Sequence, residues 1–96
     1  MKNSIIIFGT KEIADLAFFY FTNDSNFKIE AFTIDDDYIK DNQFNGLPII
    51  PYSEIENKFP PNQFYMHIAI SYQKLNRLRE EKFYRAKSQG YKLASY

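Results

Sequence analysis

The chain has 96 residues, of which 45% are hydrophobic and 25% charged, and its formal net charge is zero. This length supports a single domain, residues 1–96, and the composition excludes a disordered chain. Because cysteine is absent, disulfides, thiolate zinc ligands and a cysteine nucleophile are excluded, and a cytoplasmic location is favoured. No apolar stretch reaches the roughly 18 residues of a membrane span, so we expect no membrane segment and no signal peptide.

The charges are unevenly distributed along the chain. Residues 1–71 contain 5 basic and 10 acidic side chains, whereas residues 72–96 contain 7 basic and 2 acidic ones. A basic segment can face nucleic acid, but Glu80 and Glu81 interrupt this one. The pattern favours a solvated helix rich in Lys and Arg, and we expect no nucleic-acid partner.

The first segment of the chain has the pattern of a buried strand that leads directly into a helix. Residues Ser4–Phe8 are apolar on both faces, as in a central parallel strand. Gly9 then turns the chain into a helix predicted over residues 11–22, with Thr10 as its N-cap. Helical spacing predicts a buried stripe of Ile13, Leu16, Ala17 and Tyr20, and places Phe18, Phe19 and Phe21 on the other faces.

The middle of the chain predicts a second strand, an edge segment and a short helix. Over residues 28–34, alternation would place Ile29, Ala31 and Thr33 on one face and Glu30, Phe32 and Ile34 on the other. Two prolines limit residues 46–51 to an edge strand or a strand end. The sequence Ser53-Glu-Ile-Glu56 matches a capping box, so a helix is predicted to begin there.

The last third of the chain predicts a strand, a long helix and a final strand. Residues 64–70 form the strand, with Phe64, Met66, Ile68 and Ile70 on one side. The helix covers residues 72–89, and Gly90 occupies the position that ends a helix. Its buried arc also contains Arg79 and Lys82, whose side chains either extend to solvent or face a ligand or partner. With a strand at residues 91–96, the order β-α-β-(β)-α-β-α-β predicts a small Rossmann-like α/β domain with three layers and a mostly parallel sheet.

The turn at Gly9 is the first candidate binding element. A glycine between a strand and a helix lets the backbone approach an anion, and the helix N-terminus favours negative charge. A dinucleotide fingerprint needs two further glycines, but Lys11 and Ala14 occupy those positions. The pattern therefore argues against NAD or FAD. It leaves open either a phosphate site or a turn with a structural role alone.

Acidic residues follow the second predicted strand. A carboxylate of Asp35 or Asp36 at this strand end could accept a hydrogen bond from a ribose or a base. A metal site with Asp37 finds no support from a His or Glu cluster, and a solvated acidic loop is the remaining alternative. Ser71 and Tyr72 follow another strand and would border the same crevice, although an N-cap and a core aromatic are their simpler roles.

The chain offers little for catalysis. Its single histidine, His67, lies between apolar residues in a predicted strand, where a structural role is more common than a catalytic one. No Ser/His/Asp set, pair of catalytic carboxylates or metal motif is present in the sequence. The residues alone therefore predict a binding protein with no catalytic residue and no metal.

Taken in order, several segments resemble the N-terminal domain of bacterial sugar acyltransferases of the PglD/NeuD type. The resemblance spans essentially the whole chain, and an ordered set of segments carries it: Ile5–Asp15, Phe32–Asp37, Asn45–Ile50, Ile68–Ser71 and Gln89–Leu93. Lys11 and Glu12 depart from the family, which often has glycines there.

The resemblance implies that this domain holds a UDP- or dTDP-linked amino sugar used in surface glycan synthesis. By carry-over, the diphosphate lies near Gly9, Thr10 and Lys11, the base and ribose near Asp35 and Asp36, and Ser71 and Tyr72 line the same crevice. In the family, a β-helix of hexapeptide repeats follows, binds acetyl-CoA, supplies the catalytic histidine and forms a homotrimer.

We therefore expect a domain of a longer protein, or a stand-alone relative, that has no cofactor of its own and is a monomer or weak dimer in isolation. The alternative is a degenerate Rossmann-like module that serves protein docking without a ligand.

Overall fold

The computed structural model describes residues 3–23, 26–70 and 76–94, and for residues 76–79 it describes the backbone alone. The strands in this part of the chain are β1 (Asn3–Phe8), β2 (Phe27–Ile34), β3 (Gln43–Phe44), β4 (Leu47–Pro51), β5 (Tyr65–Ile68) and β6 (Lys92–Leu93). The helices are α1 (Glu12–Asn23), α2 (Ile55–Lys58) and α3 (Asn76–Ser88), with 3₁₀ turns at Asp36–Tyr38 and Tyr52–Glu54.

The strands form one sheet in the order β3-β4-β2-β1-β5-β6. All neighbours pair in parallel except β3, which pairs antiparallel with β4 through two residues. From β1 the chain passes to β2 and β4 on one side, then returns to β5 on the other side of β1. This arrangement confirms the predicted Rossmann-like α/β fold with a mostly parallel sheet.

The core has two halves, one on each face of the sheet. Ile5 and Ile7 of β1 pack with α1, whereas Ile6 and Phe8 point to the opposite face. There they pack with residues of α2 and α3, including Ile55 and Ala86. All four β1 residues are at most 5% exposed, which confirms that β1 is a central strand with two apolar faces.

The buried face of α1 differs from the predicted one. The residues that face the sheet are Ala14, Ala17 and Phe21, whereas Leu16 and Tyr20 are 46% and 41% exposed. The helix is therefore rotated by about one residue from the predicted stripe. Small side chains at Ala14 and Ala17 let α1 lie close to β1, and Phe21 fills the space at its far end.

Strand β2 does not alternate strictly, because a bulge interrupts it. Ile5 pairs with Ile29, but Ile6 pairs with Ala31, so Glu30 is an extra residue in β2. As a result, Ile29 and Phe32 contact the same half of the core as α1, whereas Ala31 contacts the other half. The predicted division of this strand into two alternating faces was wrong for this reason.

The C-terminal part of the described chain agrees with its predicted pattern. Phe64, Met66, Ile68 and Ile70 all contact the same half of the core. At the end of α3, Gly90 has φ +103°, its N–H donates to Lys87 O, and Tyr91 N–H donates to Ala86 O. These two bonds form the Schellman motif that a glycine at this position predicts. No helix within the described ranges is both long and apolar enough to cross a membrane.

Candidate functional site

The carboxyl ends of β1 and β5 mark the point where the strand order reverses. The connections from these two neighbouring strands lead to opposite sides of the sheet. In open α/β sheets, ligands bind in the crevice outside the strand ends at such a point. The turn Gly9–Lys11 follows β1 here, and Ala69 and Ile70 follow β5. We refer to the carboxyl ends of the parallel strands as the carboxyl edge.

Gly9 is fixed by the backbone around it. Its φ is +127°, and a Cβ atom there would lie 2.7 Å from the backbone oxygen of Ala69. Its N–H donates to Thr33 O at 2.9 Å, which extends the β1–β2 pairing past the strand end. Gly9 is therefore required by packing, and its amide hydrogen is already used.

Thr10 and Lys11 lead from this turn into α1. Thr10 is partly buried, Lys11 is exposed, and the backbone oxygen of Lys11 accepts from Asp15 N–H in the first turn. The first turn of α1 also carries Glu12 and Asp15, which are exposed. These two acids lower the attraction of this helix end for an anion, so Lys11 is the cation available at the turn.

Asp35 directly follows β2 and contacts two cations of α3. Lys82 Nζ donates to its Oδ2 at 2.6 Å, and Arg85 Nη1 lies 3.6 Å from its Oδ1. The Lys82 side chain is 7% exposed, whereas those of Asp35 and Arg85 are 30% and 47% exposed. Lys82 Nζ also lies 5.6 Å from the centre of the Phe8 ring. Lys82, which the sequence placed in the buried arc of this helix, thus faces a carboxylate of its own chain. The side chain of Arg79, the other cation of that arc, lies outside the described residues.

Asp36 is held by a residue that was predicted to cap a helix. Ser53 Oγ donates to Asp36 Oδ2 at 2.6 Å, and Ser53 N–H donates to Oδ1 at 3.3 Å. These bonds hold the pKa of Asp36 below its usual value. The predicted capping box was wrong, because α2 begins at Ile55 and its N-cap position, Glu54, makes no side-chain capping bond. The Ser53 hydroxyl instead joins the 3₁₀ turn after β4 to the 3₁₀ turn after β2.

Tyr52 and Arg85 also lie at this edge and were absent from the predicted site. The Arg85 guanidinium stacks on the Tyr52 ring at 4.4 Å, and the ring is buried. Burial raises the pKa of Tyr52 to about 12. The Tyr52 hydroxyl donates to Gln89, whose amide donates to Glu56. No sequence signal links these residues, because the fold alone brings β4, α2 and α3 together here.

The remaining predicted site residues, Ser71 and Tyr72, lie outside the described residues. His67 has the structural role expected for it. Its Nδ1 lies 2.8 Å from Ala94 O, and its ring packs on Phe21 with 5.2 Å between ring centres. Since a carbonyl oxygen only accepts, Nδ1 carries the hydrogen. Within the described residues, no three His, Cys, Asp or Glu side chains are grouped so that they could hold a metal ion.

No protein-family profile and no curated protein matches the sequence. Solved structures do resemble the fold. The acetyltransferase domain of PglB from Neisseria gonorrhoeae FA1090 matches with a TM-score of 0.71 and 20% identity over 94% of this chain. Its complex with acetyl coenzyme A matches with a TM-score of 0.70 and 19% identity over 95% of this chain.

A third structure, a Rex-family repressor named RSP, matches with a TM-score of 0.61 and 13% identity over 88% of this chain. In each case this chain spans only about two fifths of the solved chain, 41% for the repressor and 42% for both PglB structures. At these identities the comparisons establish that the chain shares the fold of the matched part of each of these proteins.

Proposed function

We propose that this chain is the nucleotide-sugar-binding domain of a sugar acetyltransferase of the PglD/NeuD type, active in surface glycan synthesis. It binds a UDP- or dTDP-linked amino sugar at the carboxyl edge, across the ends of β1, β2 and β5. The order of sequence segments supports this proposal, and so does the fold shared with the PglB acetyltransferase domain over 95% of the chain.

The observation that carries the proposal is the combination of elements at the carboxyl edge. The strand order reverses between β1 and β5, a glycine with φ +127° leads from β1 into α1, and carboxylates follow β2. A nucleotide fits these three elements in order, with phosphates at the turn and ribose and base beyond the end of β2. Because Gly9 N–H is already bonded, the phosphate contact rests on Thr10 and Lys11.

Asp35 and Asp36 supply the acceptors for the ribose and the base in this proposal. Each keeps acceptor capacity, because a carboxylate has about four lone-pair sites and the contacts described above use only part of them. The sequence adds Ser71 and Tyr72, which follow β5 in the chain, as further candidate ligand-binding residues.

The chain itself supplies no catalytic group in this proposal. Acetyl transfer belongs to a second domain of the parent protein, which would bind acetyl-CoA and trimerise. In support, one of the two PglB structures is a complex with acetyl coenzyme A. The role of the present domain is to bind the acceptor sugar nucleotide and direct its sugar towards that second domain.

Isothermal titration calorimetry with UDP-N-acetylglucosamine and dTDP-glucose, which carry the two proposed nucleotides, tests binding of the nucleotide part at this site. We expect saturable one-site binding of at least one of them, and Asp36→Ala should weaken it about tenfold through loss of a charge-assisted hydrogen bond. Asp37→Ala removes a neighbouring exposed carboxylate and is the matched control. Equal affinity of both variants would remove Asp36 from the site, and absence of heat with both ligands would refute the proposal.

One observation favours a docking function as the second candidate. The outer face of α1 exposes Leu16, Phe19 and Tyr20, of which Phe19 is 60% exposed. Large apolar side chains grouped on a surface are typical of contact sites. Sedimentation velocity over a concentration series distinguishes the two candidates, because a docking module associates without nucleotide and gives no heat with either ligand.

A further inference from the structure

The two cations at Asp35 are held very differently. Lys82 is almost fully buried and donates to Oδ2 at 2.6 Å. Arg85 is about half exposed, and 3.6 Å separates its Nη1 from Oδ1, which is too long for a hydrogen bond. One oxygen of Asp35 is therefore firmly bonded, whereas the other has only a weak ionic neighbour.

The position of Arg85 explains why it can leave this carboxylate. Its guanidinium lies 4.4 Å from the centre of the Tyr52 ring, and this stacking holds it over the end of β4. About half of its side chain is already in solvent, so it can move away without leaving a buried charge unpaired. Exposed ion pairs contribute about 0.2–1 kcal/mol. Lys82 cannot move in the same way, because its ammonium would lose its carboxylate partner while remaining buried beside Phe8.

We propose that Arg85 acts as a gate that controls the access of a ligand to Asp35 Oδ1. Lys82 is the positioning residue that holds the Asp35 carboxylate in place when Arg85 moves away. In the free protein Arg85 is an ionic competitor for Oδ1, with its Nη1 3.6 Å away. A ribose hydroxyl donates to Oδ1 when the guanidinium moves off, and Lys82 keeps Oδ2 in place throughout. The inference rests on the proposed nucleotide site and adds residues of α3 to it.

The proposal predicts effects of opposite sign for two cations on the same helix. Arg85→Gln removes the competitor, so affinity for UDP-N-acetylglucosamine should rise about two- to fivefold. Lys82→Met keeps the packing on Phe8 but releases Oδ2, so the carboxylate turns to Arg85 and affinity should fall about tenfold. A phosphate contact by Arg85 would instead weaken binding by Arg85→Gln, and then both variants would lose affinity.

Two further variants separate these effects from changes of net charge or fold. Lys87→Gln removes a positive charge from an exposed position two residues after Arg85 and should leave affinity nearly unchanged. Lys82→Arg keeps a cation beside Asp35 and should restore most of the affinity lost in Lys82→Met. Circular-dichroism melting of each variant confirms that the protein titrated is folded.

The test is a calorimetric titration of wild type and the four variants with UDP-N-acetylglucosamine, repeated with dTDP-glucose. Tighter binding by Arg85→Gln, weaker binding by Lys82→Met and rescue by Lys82→Arg support the inference. If wild type binds but Arg85→Gln binds equally or more weakly, the gate is refuted and the proposed function stands. If no protein in the series binds either ligand, the proposed function and the gate both fail.

Discussion

Lys82 and Asp35 lie 47 positions apart in the sequence, and 2.6 Å separates the Lys82 ammonium from the Asp35 carboxylate. The contact joins the middle of α3 to the end of β2 across the end of β1, where Phe8 lies beneath the ammonium. Because the lysine is buried and the carboxylate is partly exposed, the pair is asymmetric. Removing one member is therefore not equivalent to removing the other.

The asymmetry predicts which member of the pair matters more for stability. Asp35→Asn leaves a buried ammonium without its counter-charge and should lower the free energy of unfolding by about 3–5 kcal/mol. Lys82→Met leaves a partly exposed carboxylate near Arg85 and should lower the free energy of unfolding by less. The double variant Asp35→Asn/Lys82→Met should recover most of the stability that Asp35→Asn loses. Urea denaturation measures the free energy of unfolding of all three variants.

The surface pair Lys58–Glu54 provides the control for this prediction. Its members lie one helical turn apart, with about half of each side chain exposed. Lys58→Met should therefore change stability by about 0.5 kcal/mol or less. If Asp35→Asn were equally mild, the buried pair would not tie α3 to the sheet.

Gly9 and Gly46 provide a second matched comparison. Both have positive φ, +127° and +80°, but a Cβ on Gly9 would lie 2.7 Å from Ala69 O, whereas one on Gly46 meets nothing within 4 Å. Gly46→Ala should cost about 1 kcal/mol through backbone strain alone. Gly9→Ala should cost at least about 2 kcal/mol more, because the turn must shift away from β5. Chemical denaturation measures the free energy of unfolding of both variants. Equal losses of stability would show that the close approach of Gly9 to Ala69 does not exclude a side chain there.

Much of the fold could be predicted because the relevant patterns are local. The apolar run Ser4–Phe8, the alternation from Phe64 to Ile70 and the glycine at the end of α3 each specify an element through near neighbours. The face of α1 could not be read in the same way, since apolar residues cover most of the helix. Only the fit of Ala14 and Ala17 against the sheet selects the buried side.

The Ser53–Asp36 contact predicts a change in titration. In wild type, the hydrogen bonds from Ser53 lower the pKa of Asp36. Ser53→Ala removes the hydroxyl bond, which is the main cause, so the pKa should rise towards its ordinary value of about 3.9. Carboxyl carbon NMR over a pH series measures it, and Ser88→Ala, whose hydroxyl bonds to Arg85 O, is the control. An unchanged titration of Asp36 would contradict the contact.

The same shift has a consequence for acid stability. A group whose pKa is lower in the folded protein contributes stability above its unfolded pKa, and this stability is lost as pH falls through the folded value. Wild type should therefore lose more stability than Ser53→Ala when the pH falls below about 4. Melting temperatures of the two proteins at pH 6 and at low pH provide the comparison. If both proteins lost the same stability at low pH, Asp36 would not contribute to the acid sensitivity of the fold.

Tyr52 predicts the opposite pH dependence at the alkaline end. Burial raises its pKa to about 12, above the ordinary value of 10.0. The stability that Tyr52 contributes is complete below the pKa of its hydroxyl in the unfolded chain. It is lost as the pH rises through the pKa of the same hydroxyl in the folded protein. Tyr52→Phe should therefore destabilise the protein at neutral pH and flatten its decline above about pH 10. Guanidinium denaturation at neutral and alkaline pH tests this; an unchanged slope would place Tyr52 in solvent.

The sequence alone places the candidate residues at the carboxyl edge, but it does not predict the contacts that they make within the chain. Gly9 and Asp35 directly follow strands and Asp36 comes one residue later, and the ends of parallel strands meet at one edge. Their partners Ser53 and Lys82 come from distant segments whose own patterns indicate a cap and a helix face. Only the folded chain shows that both acids already have partners, and this changes what a ligand must do to reach them.

The central claim is that a nucleotide sugar binds at the carboxyl edge, and amide chemical-shift mapping tests it most directly. Titrating UDP-N-acetylglucosamine or dTDP-glucose into labelled protein should shift the amides of Thr10, Lys11 and Asp36 in a saturable manner. Amides at the opposite edge, such as those of Lys28 and Leu47, should remain unchanged. Absence of saturable shifts with both ligands, or shifts confined to the exposed face of α1, would contradict the claim.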